Sequence, residues 1–145
     1  MQIKHTALAA ALALGSVVAT PAWAQTEIQW WHSMGGALGE WVNDLAKEFN
    51  ASQKDYKVVP TFKGSYDESM TAAIAAFRAG NAPHVLQVFE VGTATMMASK
   101  GAIVPVGEVM KKAGVTFDPG AYVPAVAGYY TAPNGQMLSF PFNSS

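Results

Sequence analysis

The pattern of apolar and polar residues along this chain has two kinds of segment, one typical of strands and the other of helices. Residues 27–32 and 56–62 are short runs rich in aromatic and β-branched side chains, and a break that contains glycine follows each run. Between them, apolar residues mark one face of a helix, namely Leu38, Trp41, Val42, Leu45 and Phe49. This order predicts a strand, an amphipathic helix that ends near Asn50, and a second strand.

The segment after residue 62 carries the signals of a second helix. Ser65 stands three residues before Glu68, the spacing of a capping box in which each side chain bonds the other residue's backbone N–H. An apolar stripe continues through Met70, Ala73, Ile74 and Phe77. Gly80 suits the position just after the last helical turn, where the backbone often becomes left-handed. We therefore predict a helix that is capped by Ser65 and ends at Gly80.

A third strand and less regular structure are predicted farther along the chain. Residues 85–89 form a short apolar run typical of buried parallel strands. The further predicted elements are a loop over 90–93, a helix over 95–100, a helix over 105–113 that ends at Gly114, and a hairpin with arms 129–131 and 136–140 joined by an Asn-Gly turn. Alternating strands and helices predict an α/β fold with a parallel-type sheet flanked by helices.

The first 24 residues have the three regions of an export signal. Lys4 and His5 form a positive start, residues 7–18 are almost wholly apolar, and a small-x-small pattern ends at Ala24, after which we expect cleavage. The apolar stretch of roughly 12 residues is short of the roughly 20 that a membrane-spanning helix needs. We therefore expect residues 1–24 to be a signal peptide, and the product to be periplasmic and not membrane-anchored.

Composition narrows the classes of partner. The chain has 9 Lys+Arg against 10 Asp+Glu, and Lys4 is the only charged residue of the leader apart from its histidine. The remaining mild acidic excess gives no electrostatic reason to expect nucleic acid or an anionic membrane surface as partner. Because the sequence contains no cysteine, disulfides and lipid attachment through a thiol are excluded.

Candidate binding residues follow the three predicted strands. In an open parallel sheet, ligands bind beyond the carboxyl ends of the strands, where loops and helix N-termini converge. The three segments that lie there are 32–36, 63–66 and 90–93. Each combines glycine with a hydroxyl, imidazole, phenol or carboxylate, so the pattern predicts a site for a polar small molecule.

Each candidate also has a purely structural interpretation. Glu90 either contacts a ligand or is a solvated carboxylate near a helix start, and Tyr66 either contacts a ligand or covers the first turn of its helix. Ser65 is predicted to be a helix cap. His32 and His84 are predicted to be structural, although His32 ends a strand. Trp31 abuts the first loop and is either a core residue or a flank of the ligand.

Catalytic and metal-binding patterns are weak. Only His32 and His84 remain outside the leader, and with no cysteine the usual zinc ligands are missing. Neither a nucleophile elbow nor a phosphate-binding Gly-Lys-Ser/Thr loop occurs. We therefore predict a protein that is not an enzyme and has no catalytic residues, metal or cofactor.

Five segments resemble a known family. They are WHSM at 31–34, PTFKGSY at 60–66, IAAFRAGNAP at 74–83, EVGTATMMASK at 90–100 and PFNSS at 141–145. Together they resemble glycerol-3-phosphate receptors of the maltose-binding-like group, the solute-binding proteins of ABC importers. The resemblance covers essentially all of the chain after the leader.

The resemblance implies a fold and a site. Members of this group have two α/β lobes that trap ligand between them, and residues 25–145 would be an incomplete N-terminal lobe of the solute-binding domain, truncated at the first hinge crossing. Tyr66, Glu90 and Ser145 fall on ligand-binding positions of the family. Glu90 would accept hydrogen bonds from glycerol hydroxyls, Tyr66 would supply a phenol and a ring face, and Ser145 would donate from the hinge. Apart from the resemblance, Lys63 is the cationic residue that the segment 63–66 offers near the predicted mouth of the site.

The resemblance also implies partners. The protein would be a soluble monomer that captures sn-glycerol 3-phosphate or a glycerophosphodiester and delivers it to the permease subunits of an ABC importer. A receptor for an oligosaccharide is the nearest alternative, and it would need more aromatic surfaces at the strand ends. A secreted phosphodiesterase with Glu90 as base and His32 as acid, or a non-functional fragment, are further alternatives.

Overall fold

The structure is a computed structural model that describes residues 25–99, 101–116 and 118–143. Within these ranges the strands are β1 (Thr26–His32), β2 (Tyr56–Phe62) and β3 (Val85–Leu86). The helices are α1 (Gly36–Ser52), α2 (Tyr66–Arg78), α3 (Gly92–Ala98), α4 (Val106–Lys112) and α5 (Pro124–Tyr129), with a 3₁₀ turn at Pro119–Ala121. The predicted signal peptide, residues 1–24, lies outside the described residues.

The three strands form one parallel sheet in the order β2-β1-β3. Strand β1 pairs with β2 along its whole length, from Thr26 opposite Tyr56 to His32 opposite Phe62. On its other side β1 pairs with β3 only at Trp30 and Trp31. The predicted α/β class with a parallel sheet is confirmed.

Strand β3 is shorter than predicted, because the chain leaves the sheet after Leu86 rather than after residue 89. The backbone N–H of Gln87 still donates to the Trp31 carbonyl at 2.9 Å. Beyond that bond, the side chain of Gln87 takes over as the link to β1, with Oε1 2.9 Å from the Ser33 nitrogen. Val85, predicted to be buried, is 48% exposed because β3 lies at the edge of the described sheet.

Helix α1 forms as predicted and is somewhat longer, but its apolar face is only partly covered. Val42 and Ala46 are buried, whereas Leu38 on the same face is 56% exposed. The helix packs on β2. The predicted stripe is therefore wider than the part of the sheet that it contacts. Trp41 is partly covered from outside the sheet, because its ring stacks on Phe142 at a centroid distance of 5.6 Å.

Helix α2 begins and ends through the predicted interactions. The Ser65 hydroxyl accepts from the Glu68 N–H at 3.3 Å, and the Glu68 carboxylate accepts from the Ser65 N–H at 2.7 Å. At the other end Gly80 has a φ of 76°. Its N–H donates to the Phe77 carbonyl and the next N–H, of Asn81, donates to the Ala76 carbonyl, which is the Schellman arrangement. Both predicted helix ends are confirmed.

Helix α3 starts at Gly92, so the prediction of a loop over 90–93 was wrong for its second half. The Gly92 N–H donates to the Phe89 carbonyl at 2.9 Å and the Thr93 N–H donates to the Glu90 carbonyl at 3.2 Å. This turn begins the helix directly after the strand-end segment. Lys100, the predicted last residue of this helix, lies outside the described residues.

The C-terminal part of the described chain contains short elements. Helix α4 ends at the predicted glycine, since Gly114 has a φ of 68°. The predicted hairpin is reduced to a single antiparallel bridge between Thr131 and Met137, because Tyr129 belongs to helix α5, which the sequence analysis did not predict. Gly135, with a φ of 81°, makes the reversal.

Few apolar side chains are buried among the described residues, and helices α1 and α2 contact the sheet. These buried apolar residues are Met34, Val42, Ala46, Ala73, Met96 and Met137. Seen over the described ranges, none of the helices has the length and apolar character to cross a membrane.

Candidate ligand-binding site

The carboxyl ends of β1 and β3 meet at one edge of the sheet. Strand β1 has β2 on one side and β3 on the other, so the chain adds strands in opposite directions from β1. In open α/β sheets the crevice at such a reversal is where ligands bind. The topology therefore directs attention to Ser33, which follows β1, and to Gln87, which follows β3.

Gln87 bridges the two strand ends. Its side chain is buried, with 7% of the residue exposed. Oε1 accepts from the Ser33 N–H at 2.9 Å, and Nε2 donates to Oδ1 of Asn143 at 2.9 Å. Both ends of this buried amide are therefore paired, and the C-terminal segment is tied to the strand ends.

Tyr66 lies beside this bridge. It is the first residue of α2, placed there by the capping box of Ser65. Nδ2 of Asn143 donates to the Tyr66 hydroxyl at 3.4 Å, and the ring of Tyr66 lies against Phe89 with centroids 5.7 Å apart. Both the ring and the hydroxyl of Tyr66 therefore have contacts that hold the side chain at the strand-end edge.

Glu90 lines an open groove of about 450 Å³. One wall is helix α5 with the following Tyr130, and the other is the segment 141–143. Burial raises the pKa of the Tyr130 phenol, and the negative charge of Glu90 raises it further. Glu90 and Tyr130 therefore line the same groove.

Asn143 connects the two predicted ligand contacts. It lines the groove together with Glu90 and donates to the hydroxyl of Tyr66. The structure thus brings Tyr66 and Glu90 to the same edge of the sheet, as the strand-end rule predicts. Ser145, the third predicted contact, lies outside the described residues.

His32 has the structural role that its sequence context predicts. The residue is 3% exposed, and its Nδ1 accepts from the Met34 N–H at 3.3 Å. Burial lowers the pKa of His32. The imidazole is therefore held neutral at neutral pH.

His84 also has a structural role. Its Nδ1 accepts from the Gln29 N–H at 3.0 Å, while the His84 N–H donates to the Gln29 carbonyl at 3.0 Å. This pair of bonds extends the pairing between β1 and β3.

Lys63 and Trp31 form a pair of their own. Nζ of Lys63 lies 3.9 Å from the centroid of the Trp31 ring, within cation–π distance. The ring that the sequence analysis considered as a flank of the ligand is thus covered by a cation.

Gln87 and Asn143 were missed as functional candidates in the sequence analysis. The sequence signal for a functional role was Gln87 itself, because it is a polar residue inside the apolar run at 85–89. A polar side chain is costly to bury without hydrogen-bond partners. Two buried hydroxyls near the strand ends, those of Ser33 and Thr93, have no hydrogen-bond partner among the described residues. Such groups are uncommon in protein interiors.

A second groove, of about 370 Å³, lies between α4 and the reversal at 135–137. Its only charged lining residue is Lys111, and no residue of the strand-end segments lines it. Around the strand ends and elsewhere in the described ranges, no group of three or more His, Cys, Asp or Glu residues is arranged to hold a metal ion. The strand-end groove is therefore the better candidate for the predicted polar site.

Comparison with known proteins gives consistent matches. The chain is 57% identical over 146 residues to the sn-glycerol-3-phosphate-binding periplasmic protein UgpB of Salmonella typhimurium, covering 100% of this chain and 33% of the relative. It is 55% identical over 138 residues to the protein of that name in Agrobacterium fabrum, covering 95% of this chain and 32% of the relative. The chain thus spans about a third of the length of these curated relatives.

A solved structure and a family match agree with these relatives. An ABC substrate-binding protein of Listeria monocytogenes, solved in complex with cycloalternan, superimposes with a TM-score of 0.61 at 22% identity. The match covers 77% of this chain and 28% of the Listeria chain, and it supports the fold alone. The family described as bacterial extracellular solute-binding proteins matches residues 10–145. The chain belongs to the bacterial extracellular solute-binding protein family.

Proposed function

We propose that this protein is the soluble substrate-binding component of an ABC importer, and that it captures sn-glycerol 3-phosphate or a glycerophosphodiester. The observation that supports this most is that Asn143, which donates to the Tyr66 hydroxyl, also lines the groove that contains Glu90. The names of the relatives point to the same ligand. The protein acts as a monomer, without catalysis, after export to the periplasm by the signal at residues 1–24.

Among the described residues that line the groove, Glu90 is the one that carries a charge, so the groove suits the hydroxyl groups of a polyol. The Glu90 carboxylate is a charged acceptor, and hydrogen bonds from hydroxyl donors to a charged group are stronger than those between neutral groups. Tyr66 supplies a hydroxyl and an apolar ring beside it. Ser145 is proposed to donate a third hydrogen bond from the C-terminal segment.

The groove is open, so we propose that a further part of the polypeptide completes the site. The relatives are about three times as long as this chain. Closure of a second lobe over the ligand would exclude water, strengthen each hydrogen bond and create the shape that a permease recognises. The 145-residue chain alone should then bind only weakly.

Calorimetry tests the proposal. The protein to be titrated is a chimera of the Salmonella typhimurium relative. In this chimera, the chain described above replaces the matching segment of the relative. We expect heat of binding with sn-glycerol 3-phosphate or glycerophosphocholine, and a loss of about 10- to 100-fold in affinity in Glu90→Gln, because a charged acceptor is replaced by a neutral one. Glu108→Gln is the matched control, since Glu108 bonds Gln136 away from the groove.

Two outcomes would count against the proposal. Absence of heat with both glycerol phosphates would remove it, and an equal effect of the Glu90 and Glu108 substitutions would remove the assigned site. The 145-residue chain titrated in parallel should show at most weak heat.

An oligosaccharide receptor stays a second candidate, because one observation favours it. The groove beside Glu90 is lined by the aromatic rings of Tyr129, Tyr130 and Phe142. Rings of this kind provide the apolar surfaces on which sugar faces pack. Titration of maltose into the same chimera separates the two candidates, and heat with maltose but with neither glycerol phosphate would favour the sugar receptor.

The phosphodiesterase alternative is not favoured by the geometry. It needs His32 as an acid, yet that imidazole is buried and accepts a hydrogen bond from Met34. A general acid must carry a proton near neutral pH, and burial lowers the pKa of His32.

A further inference from the structure

Four groups at the strand-end edge form a continuous chain of hydrogen bonds. The Ser33 N–H donates to Gln87 Oε1 at 2.9 Å, Gln87 Nε2 donates to Asn143 Oδ1 at 2.9 Å, and Asn143 Nδ2 donates to the Tyr66 hydroxyl oxygen at 3.4 Å. The chain runs from a backbone group at the end of β1 to the phenol beside the groove. We call it the amide relay.

The direction of the amide relay is set at its first member. A backbone N–H can only donate. In a Gln or Asn amide the oxygen accepts and the NH₂ group donates, and a rotation of the amide exchanges their places. Because the Ser33 N–H needs an acceptor, Gln87 must turn Oε1 toward it and Nε2 toward Asn143. Asn143 must then present Oδ1 to Gln87 and Nδ2 to Tyr66. Burial of Gln87, at 7% exposed, makes the reversed arrangement costly.

The last bond determines what Tyr66 offers to a ligand. A phenol has one hydrogen to donate and lone pairs that accept. Since the Tyr66 oxygen accepts from Asn143, its own hydrogen is left for another partner. Glu90, in the groove that Asn143 also lines, is a carboxylate acceptor. The edge therefore offers a donor at one point and a charged acceptor at another.

We propose that Gln87 and Asn143 are positioning residues that make Tyr66 a hydrogen-bond donor to an acceptor oxygen of the ligand. This inference rests on the proposed function, in which Tyr66 and Glu90 hold the same molecule. The amide relay thereby selects ligands that combine an acceptor oxygen at Tyr66 with a hydroxyl donor at Glu90. Gln87 acts through Tyr66 and does not touch the ligand.

The substitution Gln87→Glu keeps the size of the side chain and reverses the direction of the amide relay. One carboxylate oxygen still accepts from the Ser33 N–H, but the other can no longer donate to Asn143. The Asn143 amide then turns its Nδ2 toward the carboxylate and its Oδ1 toward Tyr66, so that the phenol hydrogen is used inside the protein. At about pH 8 we expect the affinity of the chimera for sn-glycerol 3-phosphate to fall at least about tenfold, the loss of one hydrogen bond of about 1.4 kcal/mol.

A double-mutant cycle separates positioning from general damage. If Gln87 acts through Tyr66, Gln87→Glu should add no further loss in a Tyr66→Phe background. Asn143→Leu, which is similar in size and uncharged, should also weaken binding in the parent and not in Tyr66→Phe. Asn143 is exposed, so this variant tests the inference even if Gln87→Glu fails to fold. Additive losses in both cycles would overturn the inference.

The pH dependence supplies a second signature. Position 87 is buried, and burial raises the pKa of a carboxyl group above its usual value of about 4.3. A protonated carboxyl group can again donate to Asn143, so the affinity of Gln87→Glu relative to the parent should recover as the pH falls from about 8 to about 5. Gln136→Met, which removes a glutamine that bonds Glu108 away from the groove, is the control and should leave the affinity unchanged. A relative affinity of Gln87→Glu that stays flat with pH would contradict the reversal.

A measurement without ligand distinguishes failure of this inference from failure of the proposed function. In nuclear magnetic resonance spectra of the unliganded chimera, the side-chain amide protons of Asn143 should show a nuclear Overhauser effect to the Tyr66 ring, and Gln87→Glu should abolish it. Its absence in the parent would overturn the amide relay. If the effect is present and neither glycerol phosphate binds, the relay stands as a structural feature and its assigned role in binding is wrong together with the proposed function.

Discussion

Replacing Val42 by alanine tests how helix α1 is held on the sheet. Val42 is 0% exposed and lies on the face of α1 that packs on β2. The substitution removes two methyl groups from a fully buried position and leaves the helix backbone unchanged. We expect a clear loss of stability without loss of helix α1.

The magnitude follows from three contributions. Two methylene-sized groups at about 0.8 kcal/mol each give about 1.6 kcal/mol of lost burial. The cavity left behind adds to this cost because the surroundings relax only partly. Alanine is the better helix former by about 0.6 kcal/mol, which offsets part of it. The expected net loss in the free energy of unfolding is about 1 to 2 kcal/mol.

Val109→Ala in helix α4 is the matched control. The same atoms are removed from a helix interior and the same gain in helix propensity applies, but Val109 is 48% exposed. Half of the lost burial is about 0.8 kcal/mol, and the gain in helix propensity nearly cancels it. We therefore expect the free energy of unfolding to change by no more than about 0.5 kcal/mol. Urea unfolding followed by circular dichroism measures the free energy of unfolding of both variants. Equal midpoints for the two variants would refute the packing of α1 described above.

Three further predictions concern the helix ends and the buried histidine. Ser65→Ala removes the cap of α2 and should lower the free energy of unfolding by about 1 kcal/mol in urea titrations; no change would mean that the capping box does not hold α2. Gly80→Ala, at a φ of 76°, should cost about 1 kcal/mol. Gly64→Ala should cost more in the same assay, because its φ is 83° and the new Cβ would overlap the Glu68 carboxylate; the reverse order would contradict this account. Burial lowers the pKa of His32 from 6.5, so the unfolded chain binds the proton more readily; stability should be complete above pH 6.5 and fall below it, and His32→Phe should flatten that part of the midpoint-against-pH curve.

The parts of the fold that the sequence predicted are those governed by local rules. The capping box needs only Ser65 and Glu68 at the right spacing, and the end of α2 needs only a glycine that tolerates positive φ. Strand β2 was predicted to the residue because a lysine and a glycine end its β-prone run. In each case the deciding signal lies in a few neighbouring residues of the chain.

The parts that the sequence did not predict depend on contacts between distant residues. Periodicity predicted that α1 has an apolar face, but how much of that face the sheet covers depends on the number of strands beside it. The length of β3 depends on Gln87, whose partner Asn143 is 56 residues away. An apolar run predicts a strand and cannot indicate where a side chain will replace the backbone as the link to the neighbouring strand.

The segment 141–143 explains why stability and binding are expected to be coupled at this edge. The ring of Phe142 packs edge-on against Trp30 at 5.7 Å and stacks on Trp41, so aromatic contacts fix the backbone of the segment. Asn143, the next residue, faces the polar side and completes the amide relay to Tyr66. Because Phe142 and Asn143 are adjacent in the chain, the aromatic contacts of Phe142 restrict the position of Asn143. The donor that Tyr66 is proposed to offer to a ligand therefore depends on the aromatic contacts of Phe142 with Trp30 and Trp41.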